Sequence, residues 1–335
     1  MQAADGDLYG TTYAGGAHGA GTVYRIRPSD GTLTTLYSFC AQGGCTDGQM
    51  PTAGLLEDSN GNLYGTTLGG GAHGDYGTIF RITRGGALTT LYSFCAESGC
   101  GDGASPYAAL VRGSDRNFYG TTFGGGASNV GTVYKITSDS TLTTLYSFCF
   151  PCADGANPLA ALLAATDGNF YGTTANGGTG SRGTLFKMLP TGSLIPLYSF
   201  CAQPECADGA TPYAALIQYT NGALYGTTSY GGAYDTCVLV GNYTGCGNLF
   251  SVSVSLKAFI EANPTWGKVG TAVKLLGNNL EHATSVSFKG TSATIEKSSR
   301  TELSTTVPAG ATTGIVQVVT PGGTLSSNVP FPVLP

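Results

Sequence analysis

Phe118-Tyr119-Gly120-Thr121-Thr122, then Gly131-Thr132-Val133-Tyr134-Lys135-Ile136, then Leu142-Thr143-Thr144-Leu145-Tyr146-Ser147-Phe148, with Tyr107–Val111 just before, is the stretch that settles the architecture. Each run is short and rich in Val, Ile, Thr, Tyr and Phe, the residues that fit a pleated, half-buried strand. Between runs lie Gly, Asn and Asp. The first joint is a tight hairpin, visible in other copies as Asn60-Gly61, Asp167-Gly168 and Asn221-Gly222, where positive φ is required and these residues supply it cheaply.

The run recurs. Tyr-Gly-Thr-Thr starts at 9, 64, 119, 171 and 225, with spacings of 55, 55, 52 and 54 residues, and Leu-Tyr-Ser-Phe-Cys starts at 36, 91, 145 and 197. Four antiparallel strands per period of this length describe one propeller blade. The expected fold is all-β: residues 1–260 as a β-propeller of about 50–55-residue repeats, five blades being the first choice. Asp5–Phe39 and Pro212–Leu256 read as incomplete blades that must meet to close such a ring. A fragment of a larger propeller is the alternative, and its unpaired edges would promote association, whereas a closed ring predicts a monomer. No secretory signal is visible at Met1–Asp7, so the chain is expected to begin after one, or partway into a longer protein.

Composition agrees. Of 335 residues 53 are glycine, which suits turns and opposes long helices. Only 10% are charged, while 41% are hydrophobic, so the chain can bury a core. Fifteen Lys and Arg with a net charge of −5 provide no basic stripe for nucleic acid, and no apolar run reaches the roughly 20 residues that span a bilayer.

The ten cysteines form local pairs: Cys40 and Cys45, Cys95 and Cys100, Cys149 and Cys152, Cys201 and Cys206, Cys237 and Cys246. A four-cysteine zinc site needs two pairs brought together, but each pair here sits in its own repeat, which favours disulfides. Closing a ring of about six residues contributes roughly 2 kcal/mol in the chain-entropy model. Five of them imply an oxidising compartment, and so an extracellular or cell-surface protein. The Cys149–Cys152 spacing also occurs in redox-active motifs, but its repeat position favours a structural bridge.

Beyond Asn263 glycine thins and the repeat vanishes. Thr271–Leu276, Ser285–Phe288, Glu302–Val307, Ile315–Thr320 and Val329–Val333 alternate apolar and polar residues between turns, so residues 263–335 read as an immunoglobulin-like sandwich.

The recurring Leu-Tyr-Gly-Thr-Thr, Gly-Gly, Gly-Thr-Val-Tyr-Arg-Ile and Leu-Thr-Thr-Leu-Tyr-Ser-Phe resemble the Gloeo/Verruco tandem repeat of bacterial extracellular and surface proteins, over residues 7 to about 254. The tail resembles an IPT/TIG domain through Gly270-Thr271-Ala272-Val273, Gly277-Asn278-Asn279-Leu280, Val307-Pro308-Ala309-Gly310-Ala311 and Thr320-Pro321-Gly322-Gly323. The resemblance implies secretion and a propeller, and transfers no catalytic residue.

In a propeller the loops joining second to third strands share a face with those joining one blade to the next, and any binding surface is placed there. Asp47, Asp102, Asp154 and Asp208, each followed by Gly, precede the innermost strands. Read functionally they form a calcium site, or half of a carboxylate pair about 5–10 Å apart for glycosidic cleavage. Read structurally each accepts N–H bonds in its own turn, and their repetition favours this, since catalysis needs unlike environments.

Departures from the repeat carry more information. The variable loop positions hold Tyr13 and His18, then His73, Asp75 and Tyr76, then Phe123 and Asn129, then Asn176 and Arg182, then Tyr230, Tyr234 and Asp235, with Tyr243 in the longest loop. Aromatics beside amide, carboxylate and Arg groups suit sugars, ring faces meeting C–H patches and polar groups meeting hydroxyls. Tyr107 and Tyr213 line the channel or fill the core. His18 and His73 could share a metal with Asp75, but surface Gly-Ala-His-Gly turns are preferred and no metal site is assigned. Asn242-Tyr243-Thr244 matches a glycosylation acceptor. No catalytic triad order, phosphate loop or dinucleotide fingerprint is present, and no organic cofactor is expected.

The leading expectation is a secreted or surface bacterial propeller that binds carbohydrate, with Tyr13, His18, His73, Tyr76, Phe123, Arg182, Tyr230, Tyr234 and Tyr243 as contacts. The alternative is a polysaccharide-active glycoside hydrolase using Asp75, Asp235 and Asp208, and a third reading is a structural adhesin or assembly module. Whether the chain is an enzyme is left open.

Overall fold

The protein is described from a computed structural model, which covers residues 1–58, 60–232 and 245–334. The chain divides into two compact units, residues 1–217 with 226–250, and residues 218–225 with 251–335. Among the described residues there is no α-helix, and no helix long and apolar enough to cross a membrane.

Five antiparallel sheets follow the five repeats. Their strands are β1 (Leu8–Thr12), β2 (Thr22–Arg27) and β3 (Thr32–Ser38); β4 (Leu56–Glu57), β5 (Leu63–Thr67), β6 (Thr78–Ile82) and β7 (Leu88–Ser93); β8 (Val111–Arg112), β9 (Phe118–Thr122), β10 (Thr132–Ile136) and β11 (Leu142–Ser147); β12 (Leu163–Ala164), β13 (Phe170–Thr174), β14 (Thr184–Met188) and β15 (Leu194–Ser199); and β16 (Ile217–Gln218), β17 (Leu224–Thr227) and β18 (Leu249–Val252). Within each sheet the strands lie in chain order. The first sheet has three named strands, and Met1–Ala3 run along the free edge of β1, where Tyr9 N–H donates to Met1 O at 2.8 Å.

The innermost strands are shorter than the expected Tyr107–Val111. The carbonyl of Ala108 is taken by the Thr66 hydroxyl of the preceding blade at 3.1 Å, so this backbone serves the junction between blades instead of a ladder. The first Thr of Tyr-Gly-Thr-Thr repeats that bond from Thr11 to Ala53 O at 2.9 Å. The second Thr pairs with the Thr opening the third strand, as in Thr67 with Thr78 at 2.8 Å. The motif's Gly is set by its neighbour across the sheet: a Cβ on Gly65 would stand 2.6 Å from Phe80 Cζ and 2.9 Å from Leu55 Cδ2.

The third strands of the middle three sheets, β6, β10 and β14, are buried on both faces, since alternate side chains point to opposite faces. In β10, Val133 packs toward the fourth sheet with Phe148, Leu162, Phe170 and Phe186, while Tyr134 and Ile136 pack toward the second with Tyr64, Ile79 and Phe94. The Phe of each Leu-Tyr-Ser-Phe meets the next blade's aromatic edge-on, at 5.2 Å for Phe39–Phe80 and Phe94–Tyr134, 5.5 Å for Phe148–Phe186 and 5.0 Å for Phe200–Phe250. Edge-to-face pairs at this distance add about 0.5–1.5 kcal/mol each beyond area burial.

The tail strands are β19 (Glu261–Asn263), β20 (Gly267–Lys268), β21 (Ala272–Leu276), β22 (Ser285–Phe288), β23 (Thr291–Ala293), β24 (Ile295–Ser298), β25 (Glu302–Thr306), β26 (Val316–Thr320), β27 (Gly323–Ser326) and β28 (Val333–Leu334). They form two four-stranded sheets, β19-β21-β25-β24 and β23-β22-β26-β27, with β20 and β28 paired in parallel. Val273, Leu275, Leu303, Val286, Phe288, Val316 and Val318 fill the space between them, as an Ig-like sandwich requires. Gln218–Tyr225 counts with this unit, where the Asn278 side chain and the Phe259 N–H both donate to Thr220, a partition the repeat pattern alone does not show.

Candidate functional site

The Asp-Gly turns come first, because they hold the loops of the candidate face. The Asp102 Oδ2 accepts the Tyr92 hydroxyl at 2.9 Å and the Ala96 N–H at 3.0 Å, and its Oδ1 accepts the Glu97 N–H at 3.2 Å. Asp47 accepts from Tyr37, Ala41 and Gln42 at the same three distances. Asp208 accepts from Tyr198, Ala202 and Gln203 at 2.7, 3.0 and 3.1 Å. Asp154, in the shorter Cys149–Cys152 loop, accepts the Tyr146 hydroxyl at 2.8 Å. Burial works to raise the Asp208 carboxyl, but the Tyr198 hydroxyl and the two N–H groups outweigh it and hold the group below the usual carboxylate range. A group held ionised in this way is unsuited to act as general acid, and its oxygens are engaged. The bonds that Asp208 makes close its own turn.

The tyrosines answer in kind. Tyr37, Tyr146 and Tyr198 are pushed up to about 12, first by burial and then by the adjoining carboxylate. A second set of pairs closes the inner hairpins: Tyr9 with Asp5, Tyr64 with Asp58, Tyr119 with Asp115 and Tyr171 with Asp167, at 2.8–3.0 Å. The motif tyrosine thus packs its ring between blades and anchors its hydroxyl on an aspartate.

Four disulfides are described, Cys40–Cys45, Cys95–Cys100, Cys149–Cys152 and Cys201–Cys206. Cys246 is also disulfide-bonded, and Cys237 lies outside the described residues. Among the described residues, Cys149, Cys152 and Asp154 are the group that brings three ligand-type atoms together, and two of them are already bonded to each other. His18, His73 and Asp75 are not so gathered.

The residue two places after each Asp-Gly builds the face. Met50, Ser105, Asn157 and Thr211 have φ of 55°, 56°, 57° and 54°. This left-handed conformation costs a non-glycine residue about 1–2 kcal/mol, and here a hydrogen bond on either side holds it. Ser105 N–H donates to Tyr76 O at 2.7 Å in the preceding blade, and Phe123 N–H donates back to Ser105 O at 3.0 Å. The same bracket joins Ala20, Met50 and Leu68, then Val130, Asn157 and Ala175, then Arg182, Thr211 and Ser229. Sequence reasoning singled out the aspartate of these turns and missed this residue, although its constant offset from Asp-Gly was there to read.

The second junction therefore sets Tyr76 and Phe123, 41% and 38% exposed, on either side of Ser105. The polar groups continue into the next blade. Asn157 Nδ2 donates to Phe123 O at 3.0 Å, and Asn176 Nδ2 donates to Asn157 Oδ1 at 3.2 Å. The result is one strip of two exposed rings, a hydroxyl and two side-chain amides across three blades. Arg182 and Tyr230 are brought to one turn at the fourth junction, where Ala210 pairs with Tyr230 in both directions. Tyr13, 53% exposed, holds the Phe123 position in the first blade, and His18 and His73 are exposed at loop tips. Tyr107 and Tyr213, 40% and 47% exposed, do not fill the core. Asp75 accepts from Gln49 Nε2 at 2.7 Å and Gly70 N–H at 2.6 Å, a staple that Asn129 repeats on Gly125 N–H at 3.0 Å one blade on. An amide does the same work there, so the position makes no demand for an acid. Tyr234, Asp235 and Tyr243 lie outside the described residues.

The profile of the Gloeobacter/Verrucomicrobia repeat matches residues 1–151 and 97–291. The chain belongs to this repeat family. The IPT/TIG domain matches residues 259–333, the sandwich described above. No curated protein matches the chain. Among solved structures, a fungal alcohol oxidase in complex with copper aligns with a TM-score of 0.50 at 12% identity, over 99% of this chain and 74% of its own. The periplasmic gluconolactonase of Pseudomonas aeruginosa aligns at 0.41 and 12% identity, over 97% of each chain. Sucrose-6-phosphate hydrolase of Lactobacillus gasseri aligns at 0.39 and 12% identity, over 98% of this chain and 83% of its own. At 12% identity these alignments leave the chemistry to the site.

Proposed function

We propose that this member of the repeat family is an extracellular or periplasmic propeller whose loop-rich face binds carbohydrate, with the IPT/TIG sandwich as a spacer. One observation carries the reading: the strip in which Tyr76 and Phe123 flank Ser105 and lead to the amides of Asn157 and Asn176. Exposed rings receive the apolar C–H patches of a sugar, and a hydroxyl with adjoining amides offers both donors and acceptors to its hydroxyls. The disulfides suit the oxidising compartment where such a ligand is met. Hydrolysis is the less favoured reading, because Asp47, Asp102 and Asp208 each spend their oxygens on three donors and Asp75 closes a loop.

Incubation of the pure protein with a panel of plant and microbial polysaccharides, following both retention and product release, tests this. Retention without release is expected, and Tyr76→Ala or Phe123→Ala each weakens it about tenfold, roughly 1.4 kcal/mol. Leu33→Ser, at a 62% exposed position on an outer strand, leaves it unchanged. Silence across the panel, or full retention by the Tyr76→Ala, Phe123→Ala double variant, would sink the proposal.

A further inference from the structure

Inside the chain one blade-to-blade contact is repeated. The downstream face of a blade presents the motif Tyr, an aliphatic residue of the third strand and the Phe of Leu-Tyr-Ser-Phe, as Tyr64, Ile79 and Phe94 do. The upstream face of the next blade receives them with Leu110, Phe118, Tyr134 and Ile136. Tyr9, Val23 and Phe39 meet Leu55, Leu63, Phe80 and Ile82 in the same way, and Tyr119, Val133 and Phe148 meet Leu162, Phe170, Phe186 and Met188. Within these interfaces the aliphatic residue is fully covered: Val23, Ile79, Val133 and Leu185 are 0% exposed.

Both ends of the series leave their faces open. Leu249, which holds that aliphatic position in the fifth blade, is 75% exposed, and Thr227 beside it is exposed where Thr66, Thr121 and Thr173 are buried. On the first blade Leu8 is 39% exposed, where Leu63, Phe118 and Phe170 are 0–2% exposed. Tyr24 and Ile26 are half-buried, where Phe80 and Ile82, Tyr134 and Ile136, and Phe186 and Met188 are all 0% exposed. Among the described residues, the two faces that a five-bladed ring would bring together are therefore both open to solvent. They are also unlike, one upstream and one downstream, and what fits an upstream face throughout this molecule is a downstream face of the same repeat.

We propose that these two faces pair between copies, so that a second copy of this chain docks head to tail, its Leu249 face on the Leu8, Tyr24 and Ile26 face of the first. The contact is heterologous, so association continues until a ring closes or a chain of copies forms. The fifth blade has no counterpart of the Leu-Tyr-Ser-Phe phenylalanine, because the residues after β18 read Ser253-Val254-Ser255-Leu256. The pairing between copies is accordingly weaker than the internal contacts and reversible on dilution. The monomer expected from the repeat count is the opposing outcome of the test.

The test is solution mass by light scattering across a dilution series, for the full chain and for Leu8→Asp and Leu249→Asp. Both positions are exposed, so circular dichroism of the variants should match the parent. The parent is expected to exceed the one-chain mass and fall toward it on dilution, and each variant alone to stay at the one-chain mass. Mixed in equal amounts, the two variants retain one intact face each and should form a dimer that grows no further. A parent that is monomeric throughout, whether by closing on itself or otherwise, overturns the proposal, as does a variant that still associates or a mixture that does not.

Discussion

Asp102→Asn changes one oxygen for an amide nitrogen and nothing in volume, so its effect isolates the turn's hydrogen bonds. Asp102 is fully buried. Two of its three donors, Tyr92 and Ala96, converge on Oδ2, and the third, Glu97 N–H, meets Oδ1. Asparagine can keep its carbonyl at the Oδ2 position and hold the first two, but its NH2 then faces the Glu97 N–H donor to donor. Losing one buried bond and creating that opposition costs about 1–3 kcal/mol. Ala96 and Glu97 are exposed, and water reaching their N–H groups moves the figure to the lower half of that range, about 1–2 kcal/mol. In a unit of this size that lowers Tm by roughly 2–8 °C.

The chain supplies its own assay: all 19 tyrosines precede residue 244, only Tyr219 and Tyr225 among them falling in the tail unit, and the single Trp is Trp266 in the tail. Thermal melting followed by tyrosine near-ultraviolet circular dichroism should shift, while the transition followed by Trp fluorescence should not. Asp47→Asn should match Asp102→Asn, since its three distances are identical, and Asp154→Asn should shift less, because the donor described for Asp154 is a single hydroxyl that an amide oxygen can accept. Polysaccharide retention at a permissive temperature should survive all three. An unshifted tyrosine transition in Asp102→Asn together with abolished retention or turnover would refute the structural assignment of the Asp-Gly turns.

Two other outcomes follow from the same repeats. Tyr134 is fully buried and its hydroxyl has no partner among the described residues, whereas Phe80, Phe186 and Phe250 hold its place in other blades; Tyr134→Phe should therefore raise stability to chemical denaturation, by about 1 kcal/mol, and a loss would mean the hydroxyl is satisfied after all. A phenol whose folded pKa stands above its unfolded value stabilises the fold fully below the unfolded value and ceases to as pH rises through the folded one. Tyr9, Tyr37, Tyr146 and Tyr198, pushed up from 10.0 to about 12 by burial and their carboxylates, should hold the repeat unit together to pH 10 and fail it between 10 and about 12. Ultraviolet tyrosine titration should then coincide with loss of near-ultraviolet dichroism; phenols ionising near 10 with the fold intact would contradict the pairing.

The architecture was legible because each blade repeats its strand composition and turn chemistry, and an error in one copy is corrected by the others. The tail was read less fully. Thr291–Ala293, Ile295–Ser298 and Gly323–Ser326 were not anticipated, since strands of three or four residues have too few alternations to stand out from polar loop. The innermost strands were read too long, because their apolar character comes from packing at blade junctions and their carbonyls answer Thr hydroxyls instead of a ladder. The Tyr–Asp pairs were half seen. The aspartates are recognisable as turn residues, whereas nothing in the sequence singles out the tyrosine ten residues before Asp47, Asp102 and Asp208 as their partner, since composition gives no sign of where a phenol's hydroxyl ends up.

The division of labour between repeated and unrepeated positions decides where function resides. Eight aspartates are bound to tyrosine hydroxyls, four closing inner hairpins and four closing Asp-Gly turns, so each of the two places gives its aspartate the same structural duty from blade to blade. Repeated surroundings are a poor source of the unlike pair that acid–base cleavage requires. What differs from blade to blade is the bracket around the left-handed residue: Ala20 and Leu68 about Met50, Tyr76 and Phe123 about Ser105, Val130 and Ala175 about Asn157, Arg182 and Ser229 about Thr211. The backbone of the bracket is constant, so a side chain can vary there without disturbing the turn, and each junction becomes a separately adjustable contact on a rigid frame. A ligand with a repeating, hydroxyl-rich surface longer than one junction matches that arrangement, because it can touch the ring pair at Ser105 and the amides at Asn157 and Asn176 together, and shortening it below that span should remove most of the affinity in one step.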